Sequence, residues 1–278
     1  MPELPEVETV KRSLIPFLQG VRIEKAEILF AKIIKYPEPN QFRAKIKGKK
    51  IVDLKRRGKY LLFFLEEDLT LVIHLRMTGQ LTLCKQDVPV SKHTHLIFSL
   101  SSEEELRFTD VRKFGLIYLV PTGEWEGIKG LWSLGHEPLA DDFTFEVFRE
   151  LLADKKGKLK PFLLDQRKIA GIGNIYADEI LFAAGLHPLR EIQTLKPAEL
   201  KKLYRAIRSI LEESIKNRGT SIQDYVDGRG EKGSFQERLK VYGRKGEACL
   251  NCGTQLQRII VTGRGTVICP LCQGEKYA

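Results

Sequence analysis

Two cysteine pairs near the end of the chain, Cys249-Leu250-Asn251-Cys252 and Cys269-Pro270-Leu271-Cys272, are separated by sixteen residues. Each pair closes a tight turn that aims two thiolates at one point, and four thiolates complete a tetrahedron. That spacing commits the end of the chain to a small unit folded around one structural Zn2+ ion, with no position left open for chemistry. Cys84 is left over in a strand pattern and is expected to pack rather than react. The N-terminus is acidic and proline-bearing, unlike an export signal, so a reducing cytoplasm is expected and the thiols are expected as ligands rather than disulfides.

A metal-built unit accounts for little of 278 residues, which are enough for a real core and point to two domains. Residues 5–18 carry Val7, Val10, Leu14, Phe17 and Leu18 at helical spacing. The pattern then changes to short strands, over 59–65, 70–75, 79–84, 95–100, 106–110 and 115–120. Their tight links predict antiparallel hairpins and hence a sandwich or barrel. A Gly- and Trp-rich stretch, 122–138, marks a boundary. Helical spacing follows over 143–152 and 174–184. A long stripe runs from Leu200 to Ile215, which Gly219 can end. No internal repeat or low-complexity tract is present.

Lys and Arg number 46 against 36 Asp and Glu, a formal charge of +10. Such an excess points to a polyanion, most often nucleic acid; an anionic membrane surface would also fit the charge. No apolar run approaches the ~18–20 residues of a spanning helix.

The chain opens Met1-Pro2-Glu3-Leu4-Pro5-Glu6. Trimming of Met1 would leave Pro2 with a free secondary amine. An α-amino group titrates near pH 7.7–8.0, about two and a half units below a lysine, so it is a nucleophile at neutral pH. Amines attack electrophilic carbon and hold the product as a Schiff base, and Glu3 places an acid beside this one. A stiff N-terminus followed by a helix cap is the alternative reading of the same residues.

Other segments carry binding chemistry. Lys59 follows the basic run Lys55-Arg56-Arg57-Gly58, which reads either as a solvated edge or as an anion site. Gly171-Ile172-Gly173-Asn174 leads into a helix. Asn174 suits the N-cap, Asp178 and Glu179 suit the early turns, and the free N–H groups suit phosphate. The spacing is not that of a nucleotide-binding loop, so no nucleotide cofactor is expected. Arg264 sits at a Gly-flanked hairpin tip, open to phosphate or merely to solvent. In Asp110-Val111-Arg112-Lys113-Phe114-Gly115, an extended backbone would put Arg112 and Phe114 on one side, a cation and an aromatic wedge suited to a base stack. Met77 at a neighbouring turn would join them. A buried Phe114 and a surface Arg112 is the plainer alternative. The five histidines are read as ordinary surface or core residues.

The string PELPEVET, the run GIGNIYADEILFAAGLHP and the cysteine finger occur in the order that resembles the formamidopyrimidine-DNA glycosylase and endonuclease VIII family. That resemblance implies an α+β multidomain fold. Residues 1–132 would form an antiparallel β-sandwich with an N-terminal helix. Residues 133–238 would form a helix–two-turn–helix domain with a lesion-capping loop, and 239–278 a β-hairpin zinc finger. It implies a base-excision-repair enzyme, a DNA glycosylase and AP lyase that removes oxidised purines (8-oxoguanine and formamidopyrimidines) from double-stranded DNA, and that also acts at abasic sites. Pro2 would be the Schiff-base amine and Glu3 the proton carrier. Lys59, Asn174, Tyr242 and Arg264 would hold phosphates, with Lys59 and Arg264 counted among the catalytic set. Met77, Arg112 and Phe114 would fill the gap left by an extruded nucleotide, a trio that separates the oxidised-purine enzymes from endonuclease VIII. Thr220, in the Gly-rich loop 220–234, would contact the lesion through its main chain. A monomer in the bacterial cytoplasm, associated with the nucleoid, is expected. One departure touches the hinge region: His136 in LGHEPL stands where family members commonly show Pro. Two rivals remain, an oxidised-pyrimidine enzyme of the same family and a non-enzymatic zinc-containing DNA-binding protein. The second leaves Pro2-Glu3 without a role.

Overall fold

The computed structural model describes residues 2–222 and 224–274. By packing, the chain divides into two compact units, Met1–Trp132 with Asn217–Gln236, and Ser133–Lys216 with Glu237–Ala278.

The first unit opens with α1 (Leu4–Leu18). Its start is set by a capping box, in which the Glu3 side chain accepts the Glu6 N–H and the Glu6 carboxylate accepts the Glu3 N–H at 2.8 Å. Val7, Val10, Leu14 and Leu18 are wholly buried, each worth roughly 1.5–3 kcal/mol. Phe17, expected on that stripe, is instead 43% exposed. It lies at the stripe's edge in the last turn, and the Arg229 guanidinium covers its ring at 4.5 Å.

Then follow β1 (Ile23–Ile28), β2 (Ile34–Tyr36), α2 (Pro39–Ile46), β3 (Ile51–Arg57), β4 (Tyr60–Leu65), β5 (Leu69–His74), β6 (Gly79–Lys85), β7 (Thr94–Leu100), β8 (Glu104–Asp110), β9 (Leu116–Pro121) and α3 (Lys129–Trp132). Two sheets form a sandwich, β1-β7-β8-β6 and β2-β9-β5-β4-β3. Every pairing is antiparallel except the parallel contact of β2 with β9. Strand β4 reads YLLFFL without alternation because both its faces are covered: Leu61, Phe63 and Leu65 enter the sandwich core, and Tyr60 and Leu62 are buried on the other face. α1 packs on β3 and β4.

Segment 217–236, which the sequence reading grouped with the helical domain, packs within the first unit. Tyr225 joins the sandwich core, and the Leu83 N–H donates to the Gly228 carbonyl at 2.8 Å, so the segment covers the open edge of β6. Gly219 serves here as a point of close approach rather than as a helix terminator. Its φ is +78° and a Cβ there would meet Glu6 at 2.9 Å.

The second unit holds α4 (Phe145–Leu152), α5 (Leu159–Leu164), α6 (Asn174–Ala184) and α7 (Pro197–Lys216), then the hairpin β10 (Gln257–Val261) and β11 (Arg264–Ile268). Thr144 caps α4 through its hydroxyl. Helix α6 is buried almost all round, with α5, α7 and β11 against it. His136, the departure noted above, packs on Phe143 with ring centroids 5.9 Å apart. Among the described residues, no helix is long and apolar enough to cross a membrane.

Candidate active site

Pro2 and Glu3 stand at the head of α1, and both are buried. Glu6 does two jobs there. One carboxylate oxygen closes the capping box, and the other accepts the Thr220 N–H at 2.8 Å. Tyr225 adds a hydroxyl bond to the Glu6 carbonyl at 3.2 Å. Thr220, whose main chain is expected to contact a lesion, is itself buried, and its N–H donates to Glu6. Helix and loop therefore form one piece around Glu3.

A second anchor fixes Lys59. Burial opposes the charge on Glu8, but Lys11, Arg12 and Arg56 around it outweigh that and hold its carboxyl below the usual range. Arg56 Nε donates to Glu8 at 3.1 Å while another of its N–H groups donates to the Gly58 carbonyl at 3.0 Å. The two-residue turn Gly58-Lys59 between β3 and β4 is thereby tied to α1, and Lys59 itself is buried.

Met77, Arg112 and Phe114 come together. The Arg112 guanidinium lies 4.8 Å from the Phe114 ring centroid and 3.1 Å from the Met77 sulfur. Met77 is 41% and Phe114 49% exposed, so the alternative of a buried Phe114 is excluded. The chain turns after β8 and is not extended over 111–114, with Lys113 at φ +58°. The turn, not strand alternation, puts the two side chains on one side.

In the second unit Asn174 is the first helical residue of α6 and Gly173 the N-cap, one position earlier than expected. One N–H of the Asn174 amide donates to the Gly265 carbonyl at 3.1 Å, and its buried oxygen has no partner among the described residues. Arg264 begins β11 rather than occupying the hairpin tip, which is Thr262-Gly263 with φ of +47° and +75°. Both values are positive, as a two-residue turn of the strand-twisting type requires.

Asp178 and Glu179 depart from their expected role. They lie past the first turn of α6 and are buried. Glu179 accepts the backbone N–H groups of Lys240, Val241 and Tyr242 at 2.8, 2.9 and 2.8 Å. Asp178 pairs with the buried Lys160 at 2.5 Å and accepts the Val267 N–H at 3.1 Å. Lys160 also donates to Thr266 at 2.7 Å. Burial pushes Asp178 up to about 6 in spite of these partners, and raises Glu179 as well. Two carboxylates of one helix thus hold the hairpin strand that carries Arg264 and the backbone of Tyr242.

The four cysteines converge, with all sulfurs within 4.8 Å of one another. Cys252 and Cys269 are 3.4 Å apart and Cys249 and Cys272 3.9 Å. A tetrahedron of Zn–S bonds of ~2.3 Å has edges of about 3.8 Å. The set fits one zinc ion held by four thiolates, closed to substrate.

Profiles of known families match the chain in order: formamidopyrimidine-DNA glycosylase N-terminal domain over residues 1–117, formamidopyrimidine-DNA glycosylase H2TH domain over 134–226, and the zinc finger found in FPG and IleRS over 246–274. The formamidopyrimidine-DNA glycosylase of Pelotomaculum thermopropionicum is 49% identical over 276 residues, covering 99% of this chain and 100% of that protein. The chain belongs to the formamidopyrimidine-DNA glycosylase family. It is a DNA glycosylase of base excision repair with AP lyase activity. Solved structures of the Lactococcus lactis Fpg are 40% identical and cover 98% of the chain and 100% of that protein. One is a complex with Fapy-dG-containing DNA at TM-score 0.90, another with DNA containing an oxidised pyrimidine at TM-score 0.91.

Several residues that pack beside the candidate site are not marked out by the sequence. Glu8 and Arg56 are 48 residues apart, and no periodicity links them. Arg258 on β10 lies so near Gly265 that a Cβ there would meet its guanidinium at 2.9 Å, beside Arg264. Its alternation with Ile259 along a hairpin strand was the available signal.

His74 is the third. Its Nδ1 accepts the Arg76 N–H at 2.9 Å and its ring meets Tyr60 edge-on at 4.5 Å. Burial, then the charges of Arg76 and Lys59, push it down to about 3. The unfolded histidine titrates near 6.5, so below that pH the unfolded chain takes up a proton that the folded chain refuses. This stability is complete above pH 6.5 and is lost as the pH falls toward 3, at up to about 1.4 kcal/mol per unit. Urea unfolding of His74→Gln between pH 7 and pH 4 is expected to show a shallower loss than the unaltered protein. Equal slopes would remove His74 from the account.

Proposed function

We propose that this glycosylase excises oxidised purines, 8-oxoguanine and formamidopyrimidines, from double-stranded DNA and cleaves the strand at the resulting site. The observation that carries the reading is the pairing of Pro2 with the buried Glu3 at the head of a helix fixed by Glu6 and Glu8. Once Met1 is removed, the Pro2 nitrogen attacks C1′ of the damaged nucleoside. The C1′–N bond breaks and the base departs with a proton, which Glu3 supplies. The C1′–O4′ bond then breaks, with O4′ taking up the proton that the nitrogen gives up, and the open-chain iminium so formed makes the neighbouring sugar protons acidic. Loss of one with the 3′ phosphate is β-elimination, and loss of another with the 5′ phosphate is δ-elimination.

Chemistry on a base requires taking it from the stack, at a few kcal/mol. Met77, Arg112 and Phe114, gathered and exposed, suit the vacated space. Lys59, Asn174, Tyr242 and Arg264 are assigned to phosphate, and Thr220, in a loop held by its bond to Glu6, to a main-chain contact with the lesion. The protein acts as a monomer in the cytoplasm, without a nucleotide cofactor. Zinc, held by the four cysteines, builds the finger.

The Lactococcus lactis complex with an oxidised pyrimidine makes lesion class the point to test. Single-turnover excision should be compared on duplexes carrying 8-oxoguanine, a formamidopyrimidine or an oxidised pyrimidine opposite cytosine. The two purine lesions are expected to be removed at least about tenfold faster, the scale of one good base contact. A faster reaction on the pyrimidine would overturn the purine assignment and leave the glycosylase class intact.

A further inference from the structure

Beneath the exposed trio lies a lock. Met77 belongs to the turn between β5 and β6, whereas Arg112 and Phe114 belong to the turn between β8 and β9. Strands β6 and β8 are neighbours, with Gly79 opposite Asp110. Asp110 has no exposed surface. One of its carboxylate oxygens accepts the Gly115 N–H at 2.8 Å. The other accepts the Arg112 N–H at 3.1 Å and the Thr78 hydroxyl at 2.5 Å. The Thr78 oxygen in turn accepts the Arg112 N–H at 3.1 Å. One carboxylate thus closes both ends of the second turn, and one hydroxyl ties that turn to the residue after Met77. The floor has no slack: a Cβ at Gly115 would strike the Phe108 ring at 2.3 Å.

We propose that Thr78 and Asp110 are positioning residues that hold Met77, Arg112 and Phe114 as one preassembled wedge, so that discrimination of the opposite base depends on the Thr78 hydroxyl. The inference rests on the function proposed above. Hydrogen bonds to a carboxylate are about twice as strong as neutral ones. Groups ordered before binding need not be ordered during it. A hydroxyl is required at 78 because the position both donates, to Asp110, and accepts, from Arg112. Valine has the same shape and does neither. An orphaned cytosine offers acceptors to a fixed Arg112, and adenine offers an amino donor. A guanidinium free to wander would read the difference poorly.

Two measurements on Thr78→Val and Thr78→Ser test this, each on protein with a cooperative unfolding transition; Thr78→Ala replaces Val if that variant does not fold. Amide hydrogen exchange at Arg112 should quicken by about tenfold in Thr78→Val, the scale of one lost hydrogen bond, and stay near the original in Thr78→Ser. Single-turnover excision opposite cytosine relative to adenine should narrow by about tenfold in Thr78→Val and be retained in Thr78→Ser. Unchanged exchange and selectivity in Thr78→Val would overturn the proposal. So would a Thr78→Ser variant as impaired as Thr78→Val, because packing of the methyl group would then be the cause. Should the unaltered protein excise no lesion at all, the proposed function fails, and the exchange measurement still decides whether the lock exists.

Discussion

Protein that retains Met1, or that carries an N-terminal extension, is expected to bind lesion DNA but to excise no base and to leave no adduct under borohydride. An acylated proline nitrogen is an amide with no lone pair to give, whereas the free secondary amine titrates near the physiological range. The side chain of Pro2 is unaltered in this comparison, so packing is not the variable. Glu3→Gln completes the argument from the other side. The amide oxygen can still accept the Glu6 N–H that closes the capping box, so α1 keeps its start. What the amide lacks is an exchangeable acid proton, and excision should fall by about 10²–10⁴-fold with binding retained. Equal adduct yields from extended and processed protein would move the amine elsewhere, with Lys59 the first residue to test.

Where chemistry depends on neighbours in the chain, the sequence was informative. Pro2 beside Glu3, the cysteine pairs and the helical stripe of α1 are all local; the structure brings the four sulfurs together and buries the stripe except for Phe17. Apart from Met77 with Arg112 and Phe114, which the family resemblance named, residues brought together across long separations were not legible. Asp178 and Glu179 look like ordinary acidic residues early in a helix; only the folded unit puts the backbone of 240–242 and of Val267 against them. Thr78 and Asp110 are 32 residues apart, and nothing in either segment announces their bond. Strand β3 was hidden for another reason. Its Lys55-Arg56-Arg57 end reads as solvated charge, yet Arg56 turns inward to the buried Glu8. The parallel strand β2 is three residues long, too short for any pattern to register.

The largest expected effect on DNA affinity follows loss of the metal. The finger has two strands and a small apolar cluster of Phe182, Val241, Leu256 and Val267 around Cys249 and Cys269. A lone hairpin is marginally stable at best in water. Zinc binding to four thiolates supplies about 10–16 kcal/mol in comparable fingers, so folding of this one is metal binding. Purified, reduced protein should contain one zinc ion per chain, and Cys269→Ser or chelation should release it. The hairpin bearing Arg264 and Gly265 would then lose its form. Glu179 would still offer its carboxylate to residues 240–242, but anchoring one end cannot fold the other. Affinity should drop on lesion and undamaged DNA alike, because a phosphate contact carries no sequence information. The first unit should keep its unfolding transition, since among the described residues its core contains none of the finger. Metal content well below one per chain would remove the zinc claim. Undiminished DNA affinity in a zinc-free Cys269→Ser protein would show instead that Arg264 does not hold phosphate, and that the first unit binds DNA without it.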